Sequence, residues 1–394
     1  MSDVLGSVLK FGSISAATAV SIYACFLGLI ANQFFQAHAV YLHAFQMTWF
    51  KDLTVPEVFG FLHNQATPFS LKSSDGETLF AWHILPPELY RQHESELLTE
   101  PAAGFVHDIT ARLAFRLLRD DPEAILILHM HGAGGTVGSG YRVPNYRALS
   151  AGRPDKIHVL TFDYRGFGRS TGTPTESGLM LDGIAVVEWA IKVAGIPPER
   201  ILFFAQSMGT AVTSALITHY ALESTVFAGT VLVAPFVDVP TLVATYRIAG
   251  TIPILGPIAK IPVLFKYLST FIRDKWLSGD RLAQYVSMNE ANSQKYRLTI
   301  IHAQDDYDVP WTHTPQMFWR AVSGTGTVPR GLTFDEMESK KAGIRKDRGE
   351  GGTVVEWQTE NGIIREEILK YGLHDVIMGN PIITLAVMRI LDSK

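Results

Sequence analysis

Cysteine is nearly missing from this 394-residue chain. Cys25 stands alone, so no intrachain disulfide can staple the fold. No Asn-x-Ser or Asn-x-Thr triplet occurs, and glycosylation therefore gives no sign of a lumenal face. Basic excess is absent too. Lys and Arg total 34 against 38 Asp and Glu, a net charge of −4, without the basic footprint that nucleic-acid binding leaves. No segment repeats at a fixed period. One absence is local: residues 11–50 contain no Asp, Glu, Lys or Arg.

What fills that gap is apolar. Residues 11–31 form an unbroken run of apolar and small side chains, and about 20 such residues cross the hydrocarbon core as a helix. A cleaved signal peptide is the competing reading, but its apolar region is usually about 7–15 residues and follows positive charge. Here only Lys10 precedes the run, and apolar character continues through Phe34, Phe35, Val40 and Tyr41. Residues 1–50 are therefore expected to be a retained membrane anchor, transmembrane over residues 11–31, in a single-pass membrane protein. Asp3 and Lys10 on one side and Lys51 and Asp52 on the other give the positive-inside rule almost nothing to act on.

Residues 51–394 are enough for one large α/β domain with additions. Its strongest local signal is the run Ile201-Leu202-Phe203-Phe204, followed by Ala205-Gln206-Ser207-Met208-Gly209 and a helix rich in small residues. A sharp strand-to-helix turn holds a serine hydroxyl out and aims the next N–H groups at the same point. The usual pattern is Gly-x-Ser-x-Gly; here Ala205 replaces the first glycine but keeps the position small. Further short apolar runs occur at Ile125-Leu126-Ile127-Leu128, Ile157-His158-Val159-Leu160, Val231-Leu232-Val233 and Leu298-Thr299-Ile300-Ile301. Separated by helix-length stretches, they predict a mostly parallel sheet covered on both faces, with chemistry at the carboxyl ends of its strands. Asp75-Gly76 between alternating runs predicts an opening hairpin.

These motifs occur in the order of the α/β-hydrolase superfamily. His131-Gly132-x-Gly134-Gly135, Asp163-Tyr164-Arg165-Gly166, the serine elbow, Asp305-Asp306-x-x-Val309-Pro310 and Gly372-Leu373-His374-Asp375 carry the resemblance. Within the superfamily the chain resembles the membrane-anchored branch that contains monoacylglycerol and lysophosphatidylserine lipases. The resemblance covers residue 54 onward and suggests the endoplasmic reticulum. Two departures are Ala205 and Gln206, the latter where many relatives carry histidine.

A serine nucleophile needs a base and an acid that orients it, and in this fold they follow it in the order acid, then histidine. Beyond the acidic cluster only His313 and His374 remain. His313 lies too near the cluster to return over the serine easily, which makes His374 the candidate base. Asp305, Asp306 and Asp308 compete for the acid. Asp306 is the one the resemblance implies, because the family carries its carboxylate in Asp-x-x-Val-Pro. The developing oxyanion needs two N–H donors, expected from Met208 and from Ala133 in the glycine-rich loop. Asp163 and Arg165 read as structural. His129-x-His131 lacks further ligands for a metal, and the glycine-rich stretch fits neither a P-loop nor a dinucleotide fingerprint. No metal and no cofactor are expected.

The expected activity is hydrolysis of lipid acyl esters, monoacylglycerols or lysophospholipids, through an acyl-enzyme on Ser207. An acyl-protein thioesterase, a soluble small-ester hydrolase or peptidase, and a silent hydrolase-fold scaffold at the membrane are the alternatives. The expected partners are the lipid substrate and the bilayer, and not nucleic acid. An apolar, proline-punctuated stretch at residues 252–265 suggests a cap over the serine, within an insertion at residues 238–290. A second insertion, residues 335–350, is dense in charge and glycine and reads as a solvated, mobile loop.

Overall fold

Strands that are apolar at every position need cover on both faces, and the fold supplies it. The computed structural model describes residues 2–392 apart from residues 103, 249, 250, 254 and 330. In chain order the strands are β1 (Ala66–Lys72), β2 (Thr78–Ile84), β3 (Ile125–Met130), β4 (Ile157–Phe162), β5 (Ile201–Gln206), β6 (Gly229–Val233), β7 (Arg247–Ile248), β8 (Ile252–Pro253), β9 (Tyr296–Ala303), β10 (Lys346–Asp347), β11 (Thr353–Gln358) and β12 (Gly362–Leu369). Ten of them form one sheet, ordered β1-β2-β4-β3-β5-β6-β9-β12-β11-β10, while β7 and β8 pair separately. From β4 to β12 every neighbour is parallel. The antiparallel β1–β2 hairpin and β10–β11 close the edges.

Alternation distributes each strand between two cores. Leu126, Leu128, Ile201 and Phe203 face one of them, under the helices Glu176–Lys192, Met208–Leu222, Ser278–Ala291 and His313–Ser323. Ile125, Ile127, Leu202 and Phe204 face the other, under Arg142–Ser150 and Pro381–Asp392. All six residues of β3, β4 and β5 are buried. The parallel strands thereby present their carboxyl ends, with their loops, on one rim.

Three segments depart from the expected organisation. The first is the anchor. Helix α1 (Ser2–Ile30) contains one window long and apolar enough to cross a membrane, Ser13–Ile30, with mean hydropathy 1.8 and none of it buried. Helix α2 (Gln33–Tyr41), N-capped by the Asn32 side chain, instead ends against the α/β domain, where Tyr41 is fully buried. Leu53 is buried as well, and its carbonyl accepts the Trp82 indole N–H at 2.9 Å. The boundary between free helix and packed chain thus falls near residue 31 rather than 50.

The second is the cap. Helix Ser278–Ala291 buries Leu282, Tyr285 and Val286 in the main core, so the excursion from the sheet is confined to residues 238–277. There the helix Pro262–Ser269 buries no residue, and Ile261, Val263, Leu264, Tyr267 and Phe271 stay exposed. Ile254 of the apolar stretch lies outside the described residues.

The third is the charged insertion, which is ordered. Thr333 and Glu336 form a capping box that starts the helix Phe334–Ala342. Its Lys341, buried beneath the surface, donates to the buried Glu366 of β12 at 2.7 Å. Most of residues 335–350 is exposed, as composition suggested, while one desolvated ion pair ties the segment to the sheet. Lys341→Ala should strand that carboxylate and cost about 3–5 kcal/mol, measured as a fall in denaturation midpoint. Combining Lys341→Met with Glu366→Leu should recover most of the loss.

Candidate active site

β5 ends at Gln206, and Ser207 then takes φ 53° and ψ −122° before the helix Met208–Leu222 begins. A non-glycine residue held there costs on the order of 1–3 kcal/mol. The turn is possible only because its neighbours are small. A Cβ on Gly209 would lie 2.1 Å from the Met130 carbonyl oxygen, so glycine is required after the serine. Before it the requirement is looser. Ala205 pairs with Met130 of β3 and Leu232 of β6 and is wholly buried, its methyl part of the core.

The glycine-rich loop after β3 comes up against this elbow. A Cβ on Gly132 would lie 3.2 Å from Ser207 Cβ. Among the described residues, neither the Ala133 nor the Met208 backbone N–H has an acceptor. Unpaired donors beside a serine are what a developing oxyanion would use. The loop's carbonyls face inward, toward the buried Arg142. That guanidinium donates to Thr136 O at 2.5 Å, Gly134 O at 2.6 Å and Gly132 O at 3.1 Å. Nothing in the sequence marked Arg142, because a single arginine on a polar helix reads as surface.

Asp306 follows β9 and is buried. Its Oδ2 accepts from His374 Nδ1 at 2.7 Å and from His302 Nε2 at 3.1 Å, and its Oδ1 accepts from the Asp308 and Val309 amides, both at 2.9 Å. Burial raises the carboxyl pKa, but the hydrogen bonds from His302 and His374 outweigh it and hold the group well below the usual range. For His374 burial works downward, and the bond to Asp306 with the nearby Asp375 and Asp308 charges raises the pKa above its ordinary value. With Nδ1 committed to Asp306, Nε2 is left to exchange a proton. Ser207 Oγ has no hydrogen-bond partner among the described residues, so the structure joins Asp306 to His374 but shows no serine–histidine bond. Such contacts often tighten only with substrate bound.

Three supporting groups went unassigned in the sequence. His302 Nδ1 lies 2.7 Å from Thr314 Oγ1, which fixes the ring that donates to Asp306. Asp305 accepts from the Gly372 and Leu373 amides at 2.9 and 2.8 Å. It clamps the turn in which Leu373 takes φ 49° just before His374, so it is neither free nor merely capping its own turn. Gln206 donates from Nε2 to His374 O and Asp375 Oδ1, both at 3.3 Å. The residue that departs from the familiar histidine therefore ties the elbow to the histidine loop.

The rival residues are engaged elsewhere. His313 starts its helix with Nδ1 accepting from Val237 N at 3.3 Å, and burial lowers its pKa to about 4. His129 bonds to Asn145 and stacks on Phe204. Arg165 is held between Asp182 and Asp75. Among the described residues one group could offer three ligand atoms to a cation: Asp306, Asp308 and His374, within 4.8 Å of one another. Two of those residues, Asp306 and His374, already share a hydrogen bond, the arrangement of an acid orienting a base.

The sequence profile described as Alpha/beta hydrolase family matches residues 125–333, more than half of the chain. The chain belongs to the alpha/beta hydrolase family. Over 283 residues this hydrolase is 27% identical to the lysophosphatidylserine lipase ABHD12 of Gallus gallus, covering 70% of this chain and 64% of that protein. The Rattus norvegicus lysophosphatidylserine lipase ABHD12 is 28% identical over 283 residues, covering 70% of this chain and 61% of that one. The hydrolase thus spans a little under two thirds of the length of these relatives. Among solved structures, an alpha-beta hydrolase from Vibrio vulnificus superimposes with a TM-score of 0.53 at 14% identity, covering 91% of each chain, a likeness of fold.

A raised His374 pKa has a kinetic consequence. A base at His374 would work only when neutral, so kcat/KM should rise with pH through an apparent pKa above the ordinary histidine value of about 6.5. Asp306→Asn removes the charge that raises it. The acidic limb should then move to lower pH, while kcat falls by roughly 10⁴-fold; a pH–rate profile of both proteins checks each part.

Proposed function

We propose that this chain is a membrane-bound serine hydrolase that cleaves acyl esters of lipids, monoacylglycerols or lysophospholipids. The observation that carries the reading is the convergence of a strained serine, two unpaired N–H donors and the Asp306–His374 pair on one rim. Ser207 Oγ adds to the ester carbonyl while His374 Nε2 takes its proton, and Ala133 and Met208 N–H receive the oxyanion. Collapse expels the alcohol, which leaves with the proton from His374. Water, deprotonated by the same imidazole, then releases the fatty acid and restores Ser207.

The lipid part of the reading is supported by two features: relatives named as lysophosphatidylserine lipases, and an exposed apolar cap bonded at Phe271 to α2, the helix that follows one able to cross a membrane. The proposal places the enzyme in a membrane crossed once, that of the endoplasmic reticulum on the earlier resemblance.

Ser207→Ala should abolish fluorophosphonate labelling and hydrolysis together, leaving at most the residual rate that binding and the oxyanion donors supply. Labelling that persists in this variant would point to another serine. Each buried methylene contributes about 0.8 kcal/mol, roughly fourfold in rate. Long-chain monoacylglycerols and lysophospholipids should therefore exceed short-chain esters by orders of magnitude in kcat/KM. Replacing Leu264 and Phe265 with serine should flatten this dependence and spare short-chain hydrolysis. A wild-type profile peaking at acetate or butyrate would reject the lipase reading.

A further inference from the structure

The segment between the apolar helix and the first strand touches the oxyanion loop directly. Gly134 N–H donates to Tyr41 O at 2.8 Å, and Gly135 N–H donates to Phe45 O at 2.6 Å. Side chains reinforce the contact. Ser139 Oγ donates to Gln46 O at 2.9 Å, and the Thr48 and Thr136 hydroxyls lie 3.1 Å apart. At its other end the segment is tied to the base of the cap. Tyr41, fully buried, donates from its hydroxyl to Asp274 at 2.7 Å and accepts from the Trp276 indole at 3.2 Å.

Every buried backbone group needs a partner, and here the partners come from two sides. Arg142 holds the carbonyls of residues 132, 134 and 136 from the core. The incoming segment takes the N–H groups of residues 134 and 135 from outside. Gly134 and Gly135 sit at φ 63° and 68°, a conformation open to several alternatives unless its amides are pinned. Between these clamps the Ala133 N–H is left unpaired. If the outer clamp were lost, the two glycine amides would seek new acceptors, and the loop could turn the Ala133 donor away from the serine.

We propose that residues 41–48 are a positioning element of the acyl-transfer site, fixing the oxyanion loop through the carbonyls of Tyr41 and Phe45. The proposal rests on the reading of Ser207 as nucleophile with Ala133 as an oxyanion donor. The stretch that links the apolar helix to the domain is thereby part of how the site is built, and not a passive tether.

Leu42 supplies the test. It holds φ 50° and ψ 24°, between the two carbonyls, with an exposed side chain. Proline cannot adopt that φ, whereas glycine can. Full-length Leu42→Pro, Leu42→Gly and Tyr41→Phe proteins in detergent are compared with wild type, with active sites counted by exhaustive fluorophosphonate titration and the label mapped to a peptide. Leu42→Pro is expected to lower kcat per titrated site by about 10- to 100-fold, somewhat less than outright loss of an oxyanion donor, with KM little changed. Its Ki for a trifluoromethyl ketone, which binds as an oxyanion, should rise in parallel. Leu42→Gly should retain most of the wild-type kcat. Tyr41→Phe should show a smaller loss of the same kind, and decides the matter if Leu42→Pro does not fold. A fall in titratable sites with kcat per site and Ki unchanged would mean a role in folding alone and overturn the proposal, as would wild-type kcat per site in both Leu42→Pro and Tyr41→Phe. Wild-type label mapping away from Ser207 would instead overturn the nucleophile assignment.

Discussion

Ser207 is held at φ 53° by its surroundings, and the site is built around that strained turn. The elbow exists because Gly209 lets the helix backbone pass against the Met130 carbonyl, where any Cβ would sit 2.1 Å from oxygen. Met130 is also the last residue of β3, from which the glycine-rich loop departs. One close approach therefore sets the height of the serine, the direction of the following helix N-terminus and the start of the glycine-rich loop. The strain of roughly 1–3 kcal/mol is small beside the burial of β3, β5 and the helix Met208–Leu222 that follows β5.

Around this turn, polar side chains act as ties between loops that are distant in sequence. Asp306 collects four donors from its own turn, from β9 and from the histidine loop. Asp305 holds the backbone before His374, and Gln206 holds the His374 carbonyl and the Asp375 carboxylate after it. Arg142 and the segment 41–48 hold opposite sides of the glycine-rich loop. Each tie satisfies a buried group that would otherwise cost about 1–3 kcal/mol unpaired. The same bonds that stabilise the rim thus also fix the geometry of the chemistry.

The parts legible in the sequence were those with a local pattern. Continuous apolar runs gave β3, β4, β5, β6 and β9, and the elbow pentad located Ser207 at the junction where the structure has it. Chain order and the Asp-x-x-Val-Pro resemblance singled out Asp306 and His374, which the fold brings to 2.7 Å. The missed parts depend on tertiary proximity. His302 is hidden as one residue of a buried strand, and Asp305 acts on amides 67 and 68 positions away. Residues 33–50 carry no charge and so merged with the anchor, although Tyr41 is buried in the hydrolase domain. The insertion 335–350 read as mobile because composition cannot reveal that Lys341 finds Glu366.

The central claim is that Ser207 carries the acyl group during turnover. Rapid quenching of the wild-type enzyme with an isotopically labelled long-chain lysophospholipid, followed by peptide mapping, tests it directly. The expected result is a transient acyl adduct on the peptide containing Ser207, formed no more slowly than fatty acid is released. Steady release of fatty acid with the adduct on a different residue, or with none at any quench time, would contradict it.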